Sequence, residues 1–106
     1  MKLEVRFFTT AAGRSQARDF LASLPAADRS AISADILAVA ERGRRAPVSA
    51  KAITGVRGLM EIRTYGYRTF FTTRDGTTLW VLHACRKQDQ WHGIEMARTR
   101  LKALGG

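Results

Sequence analysis

The sequence predicts an α+β fold: an N-terminal strand, a helical hairpin, a three-stranded antiparallel meander completing a curved sheet, and a C-terminal helix. Three observations lead there. Residues 2–7 alternate charge with bulk, residues 14–43 carry apolar side chains at helical spacing, and residues 59–85 hold three strand-like runs separated by turn signals. The length of 106 residues fits one domain spanning 1–106, and an apolar content of 45% is enough to fill a single core.

Each element has its own justification. Leu3, Val5 and Phe7 alternate with Lys2, Glu4 and Arg6, the period of a half-buried strand. After a break at Thr9–Gly13, Ala17, Phe20, Leu21 and Leu24 form one helical stripe within Arg14–Leu24. Pro25 suits the first turn of a second helix, which Ile32, Ile36, Val39 and Ala40 continue to a stop at Gly43. Residues 43–58 read as the one long connector, with four basic residues and no acidic one. Strands follow at Leu59–Thr64, Tyr67–Thr73 and Thr78–Cys85, with turns at Tyr65-Gly66 and Arg74-Asp75-Gly76. The last strand is apolar on both faces apart from His83, which predicts a covered, central position. Ile94, Ala97, Leu101 and Leu104 then mark the last helix.

Composition narrows the function. Eighteen Lys and Arg stand against nine Asp and Glu, a formal net charge of +9, split as +4 in residues 1–56 and +5 in residues 57–106. A charge spread so evenly decorates a folded surface rather than a tail, and such a surface attracts polyanions, nucleic acid above all. No apolar run approaches the ~20 residues of a membrane span, and the N-terminus lacks the apolar stretch of a signal peptide. One cysteine, Cys85, forms no intramolecular disulfide, and one Cys with two His argues against structural zinc. The expected location is the cytoplasm, with no cofactor.

Candidate chemistry sits on the strands. Leu59, Glu61 and Arg63 share one face of their strand, and a hairpin turning at Tyr65-Gly66 brings Arg63 close to Arg68. Two neighbouring guanidiniums repel unless an anion lies between them or Glu61 neutralises one. A phosphate is the natural anion, and an ordinary Glu61–Arg pair on a solvated face is the alternative. His83, Arg86, Lys87, Trp91 and His92 follow, cations interleaved with a ring as in single-strand RNA recognition. His92 is suited to proton transfer, whereas His83 and Trp80 read as core residues and Cys85 as a small apolar one. RNA supplies its own nucleophile, the 2′-hydroxyl, so Arg, Lys, His and Tyr side chains suffice for its cleavage without a metal.

The runs Asp19–Arg29, Gly58–Arg63, Tyr67–Phe71, Val81–Lys87 and Ile94–Leu101 together resemble the RelE/ParE toxin superfamily, and within it the HigB-like, phage-derived branch. The likeness spans nearly the whole chain. It implies a toxin of a type II toxin–antitoxin pair that cuts messenger RNA on the translating ribosome. A helix-turn-helix antitoxin would silence it, and operator DNA would be met only through that antitoxin. The resemblance assigns Arg63, Arg68 and Lys87 to the scissile phosphate, and His92, or less readily Tyr67, to proton transfer. Arg86, Trp91, Arg57, Lys51 and Arg45 are expected to bind RNA, with Arg63, Arg68, Arg86 and Lys87 in one groove and the Arg44–Lys51 loop as a second contact. The free protein is expected to be a monomer, without a membrane partner. Cys85 replaces an aromatic residue usual in the family, Gln88 a frequent lysine, and Asp89-Gln90-Trp91-His92 a Lys-Thr-Pro-like turn. These departures thin the positive charge at the catalytic edge. They leave open a non-catalytic binding module, and the superfamily leaves open a ParE-like inhibitor of DNA gyrase.

Overall fold

The N-terminal alternation becomes strand β1 (Glu4–Phe7) in the computed structural model, which describes residues 2–105. Helices α1 (Gln16–Ala22) and α2 (Ala26–Arg42) follow, then a 3-10 turn and strands β2 (Ser49–Ala52), β3 (Met60–Thr64), β4 (Tyr67–Arg74) and β5 (Thr78–Arg86). A second 3-10 turn, Lys87–Asp89, leads into helix α3 (Gln90–Ala103). The fold is α+β, with three helices on a five-stranded curved sheet of order β1-β5-β4-β3-β2.

Local chemistry explains the boundaries. Ser15 caps α1, its Oγ accepting from the Arg18 N–H at 3.2 Å. Pro25 stands as the N-cap of α2, and Gly43, at φ 58°, ends it. Asp75 and Gly76 both take positive φ, 59° and 67°, the backbone of a tight turn between antiparallel strands.

The long connector expected over residues 43–58 is not a plain loop. It contains β2, which adds antiparallel to β3 and makes four strands of the predicted three after the helical hairpin. All four residues of β2 are exposed, so no apolar alternation marks it, and backbone hydrogen bonding to β3 holds it in place.

The first strand joins the sheet parallel to the last, pairing Val5 with Leu79 and Phe7 with Val81. Beyond Phe8, whose N–H donates to the Val81 carbonyl at 2.9 Å, the chain departs, and the side chain of Gln16 takes over the ladder. Its Nε2 donates to the Ala84 carbonyl at 2.6 Å, and its Oε1 accepts from the Ala84 N–H at 3.0 Å. One amide thus satisfies both backbone groups of a buried residue that β1 no longer reaches.

Both sheet faces are covered. Ala17, Leu21, Ile32, Ile36 and Val39 of α1 and α2 pack on Ile62, Phe71, Leu79 and Val81. Ala97 and Leu101 of α3 pack on Leu59, Phe70, Leu82 and Cys85 across the other face. A bulge between Phe70 and Phe71 pairs them with His83 and Val81, leaving Leu82 as an extra residue on β5. β5 is accordingly buried on both faces, as its apolar run predicts.

Candidate functional site

Strand parity builds the candidate site. Arg63 and Arg68 are direct partners across the β3–β4 ladder, on the face that α3 covers. Tyr65, at φ 52°, turns the chain between them and leaves its ring exposed. The Lys87 N–H donates to the Gly66 carbonyl at 2.7 Å, which fixes the exposed Lys87 at the same end of the hairpin. Arg63, Arg68, Lys87 and Tyr65 therefore converge at one end of the sheet.

A carboxylate of the chain itself already neutralises one of the two guanidiniums. Glu61 has no exposed surface, and its Oε1 accepts from Arg63 Nε at 2.9 Å. Its other oxygen accepts from Gln90 Nε2, in the first turn of α3, at 2.6 Å. The alternative of a Glu61–Arg pair is therefore present, within one strand, but not on a solvated face, because α3 closes over Glu61. Arg68 is likewise buried, at 6% exposure. Its Nη1 donates to the carbonyls of Tyr65 at 3.2 Å and Tyr67 at 2.9 Å, while its buried Nε has no partner among the described residues. Arg68 ties the hairpin end together and lies beneath the surface of the site.

Two expected members do not belong here. Arg86 pairs in register with Tyr67 and lies on the opposite sheet face, its guanidinium 5.6 Å from the Tyr67 ring and 5.9 Å from Phe20. The predicted single groove of Arg63, Arg68, Arg86 and Lys87 is therefore split, because consecutive strand residues point to opposite faces. Tyr67 shares the Arg86 side, and its hydroxyl donates to Asp28 Oδ2 at 2.6 Å. That hydrogen bond and burial raise its pKa above the ordinary 10, an environment opposed to a proton-transfer role beside Arg68.

The histidines divide as expected of their positions. His83 is 4% exposed, and Arg100 Nη1 donates both to its Nδ1 and to the Leu82 carbonyl. Burial, then the Arg100 guanidinium and the nearby His92 ring, push its pKa down to about 4, so the ring is neutral at pH 7. His92 is exposed on α3, its ring 6.3 Å from His83. Gln90, rather than His92, reaches the Glu61–Arg63 pair. Burial also pushes the Cys85 thiol up to about 11, an inert state that suits its place in the core.

The remaining expected RNA contacts are dispersed. Lys51, opposite Glu61 on β2, and Trp91, 83% exposed, line a cleft beside α3. Arg57 lines the adjoining groove with Arg74. Arg45 is exposed in the 3-10 turn after α2, where its neighbour Arg44 lines a hollow on the α2 side. The Arg44–Lys51 segment thus spans both sides of the sheet. Sequence reasoning missed Gln90 as a partner of Glu61, and the exposed ring that Tyr65 adds to the hairpin end; an aromatic residue in a turn was the available signal. Among the described residues no group of three or more His, Cys, Asp or Glu is placed to hold a metal ion, and no helix is long and apolar enough to cross a membrane.

Residues 19–102 match the sequence profile of the family described as Phage derived protein Gp49-like (DUF891). No curated protein matches the chain.

Proposed function

The chain belongs to the Gp49-like family of phage-derived proteins, a RelE-like toxin family in general, and on that footing we propose a type II toxin that cuts messenger RNA on the translating ribosome. The convergence of Arg63, Arg68, Lys87 and the exposed Tyr65 at one end of the β3–β4 hairpin supports this reading. In the proposed reaction the RNA 2′-oxygen bonds to the adjacent phosphorus as the bond from phosphorus to the 5′-oxygen breaks. The products are a cyclic phosphate and a free 5′-hydroxyl. Lys87 and Arg63 hold the non-bridging oxygens and offset the charge that grows on them, while Arg68 anchors the turn that presents both. His92 is the exposed histidine, and we assign it the proton transfers. The HigB-like branch, a helix-turn-helix antitoxin, the cytoplasm and a monomeric free form belong to the same proposal.

Induction of the chain alone tests it. Growth arrest with cleavage of ribosome-bound transcripts is expected, and Lys87→Ala, an exposed site, should relieve both without unfolding the protein. Arrest that survives Arg63→Ala, Arg68→Ala and Lys87→Ala combined would refute the assigned site.

One observation favours a second reading, a binding module without catalysis. Glu61 already neutralises Arg63, and Arg68 is buried, which lowers the free positive charge at the edge. Intact ribosome-bound transcripts at high protein concentration would select it.

A further inference from the structure

Helix α3 and the segment from β2 to β3 enclose two clefts that share a wall. The first, about 250 Å³, is lined by Lys51, Trp91 and Arg98, and by Gln90, the residue bonded to Glu61. The second, about 560 Å³, continues past the shared Val56 and Arg98 to Arg57, Arg74 and Lys102. Together they form one surface track that starts beside the Glu61–Arg63 pair and ends at the far end of the sheet, next to the end of β4.

The charge along this track is one-sided. Five cations line it, Lys51, Arg57, Arg74, Arg98 and Lys102, against one carboxylate, Glu95, which is 3.8 Å from Arg98. Arg98 and Lys102 lie one helical turn apart on α3, and Arg74 faces them from the end of β4. Arg57, Arg74 and Lys102 have no carboxylate partner among the described residues. Such crowding of like charges is unfavourable unless a polyanion lies along it. At the near end the Trp91 ring is almost fully exposed, the state of a side chain with no packing role and a free face for a base.

We propose that this track binds a single RNA strand, with phosphates on Arg57, Arg74, Arg98 and Lys102 and a base stacked on Trp91. From Trp91 to Lys102 the helix rises roughly 17 Å, at about 1.5 Å per residue. That length accommodates about five stacked nucleotides at 3.4 Å each. The inference rests on the RNA-cleaving reading for its direction, since the strand would run away from the reaction edge. It adds a binding register that the edge residues alone do not supply.

Fluorescence anisotropy with labelled 2′-O-methyl RNA of ten and of four nucleotides tests it, because the blocked hydroxyl prevents cleavage. The ten-mer should bind at least about tenfold more tightly than the four-mer, and quench Trp91 emission, read against Trp91→Phe. Arg74→Ala, Arg98→Ala and Lys102→Ala combined should abolish the length dependence and flatten the log–log salt slope by about 2. If that triple variant unfolds, Arg57→Ala with Lys102→Ala, both exposed, should act in the same direction. Equal affinity for both lengths, unchanged binding by the variants, or equal affinity for a ten-base-pair RNA duplex would overturn the track. Transcript cleavage is a separate readout: its absence with length-dependent binding intact refutes the nuclease and leaves the track standing.

Discussion

Gln90 donates to Glu61 at 2.6 Å, joining the first turn of α3 to the middle of β3 through a carboxylate that has no exposed surface. Glu61 also accepts from Arg63, so one buried oxygen pair organises a helix, a strand and a surface cation. Removing it strands two donors. Glu61→Ala should cost about 3 kcal/mol of unfolding free energy by urea titration, the low end for a broken buried pair because Arg63 is half-exposed. Glu61→Gln, which keeps an acceptor, should cost about half as much. An unchanged midpoint for Glu61→Ala would refute the organising role.

Arg86 and Lys87 are consecutive cations assigned to different faces, which makes a direct comparison informative. Lys87→Ala should lower transcript cleavage at least about tenfold, the loss of one charge-assisted contact to a phosphate. Arg86→Ala should leave cleavage within about threefold and act on thermal stability instead, since its guanidinium stacks over Phe20 and Tyr67. Equal losses of cleavage from both would contradict the split.

His83 makes stability depend on pH. Its folded pKa of about 4 lies below the ordinary 6.5, so between these values the unfolded chain binds more protons. This contribution is fully present above pH 6.5 and is lost as the pH falls toward 4. Between pH 7 and pH 5 the loss from this group should be about 2 kcal/mol, measured by denaturant titration at each pH. His83→Gln should flatten that limb of the profile, and an equally steep limb in the variant would sink the assignment.

Gly93 sets the distance between α3 and the sheet. A Cβ there would stand 2.8 Å from both Cys85 Sγ and Phe70 Cε2, buried atoms with nowhere to retreat. Gly93→Ala gains about 1 kcal/mol in helix propensity, but overpacking of about 1–3 kcal/mol should win. Cys85→Ala in the same chain removes one of the two clashes, so the double variant should recover part of the loss. Calorimetry of the two single variants and the double checks the coupling.

Much of this was legible in residue order. The alternation at Leu3–Phe7, the helical stripes and the Asp75-Gly76 turn predict their elements because burial imposes those periods. β2 was not legible, since Ser49-Ala50-Lys51-Ala52 packs no apolar side chain and exists through its neighbour's backbone. The register that opposes Arg63 and Arg68 follows from the Tyr65-Gly66 turn. The burial of Glu61 does not, because it depends on where α3 returns, some thirty residues later. The side taken by Tyr67 and Arg86 follows from strand alternation, since Tyr67 adjoins Arg68 on β4 and pairs with Arg86, so both face away from Arg68.

The outermost strand has one more consequence. β2 leaves an unpaired backbone edge of four residues, the kind of template on which copies of a chain stack into aggregates. Lys51 is its only charge, and it guards that edge as well as lining the track beside α3. One ammonium group thereby serves the solubility of the edge and adds to the positive charge of the proposed track. A polar replacement such as Lys51→Gln tests its share in the proposed RNA binding, whereas Lys51→Val, by leaving the edge uncharged and strand-prone, would confuse lost binding with lost solubility.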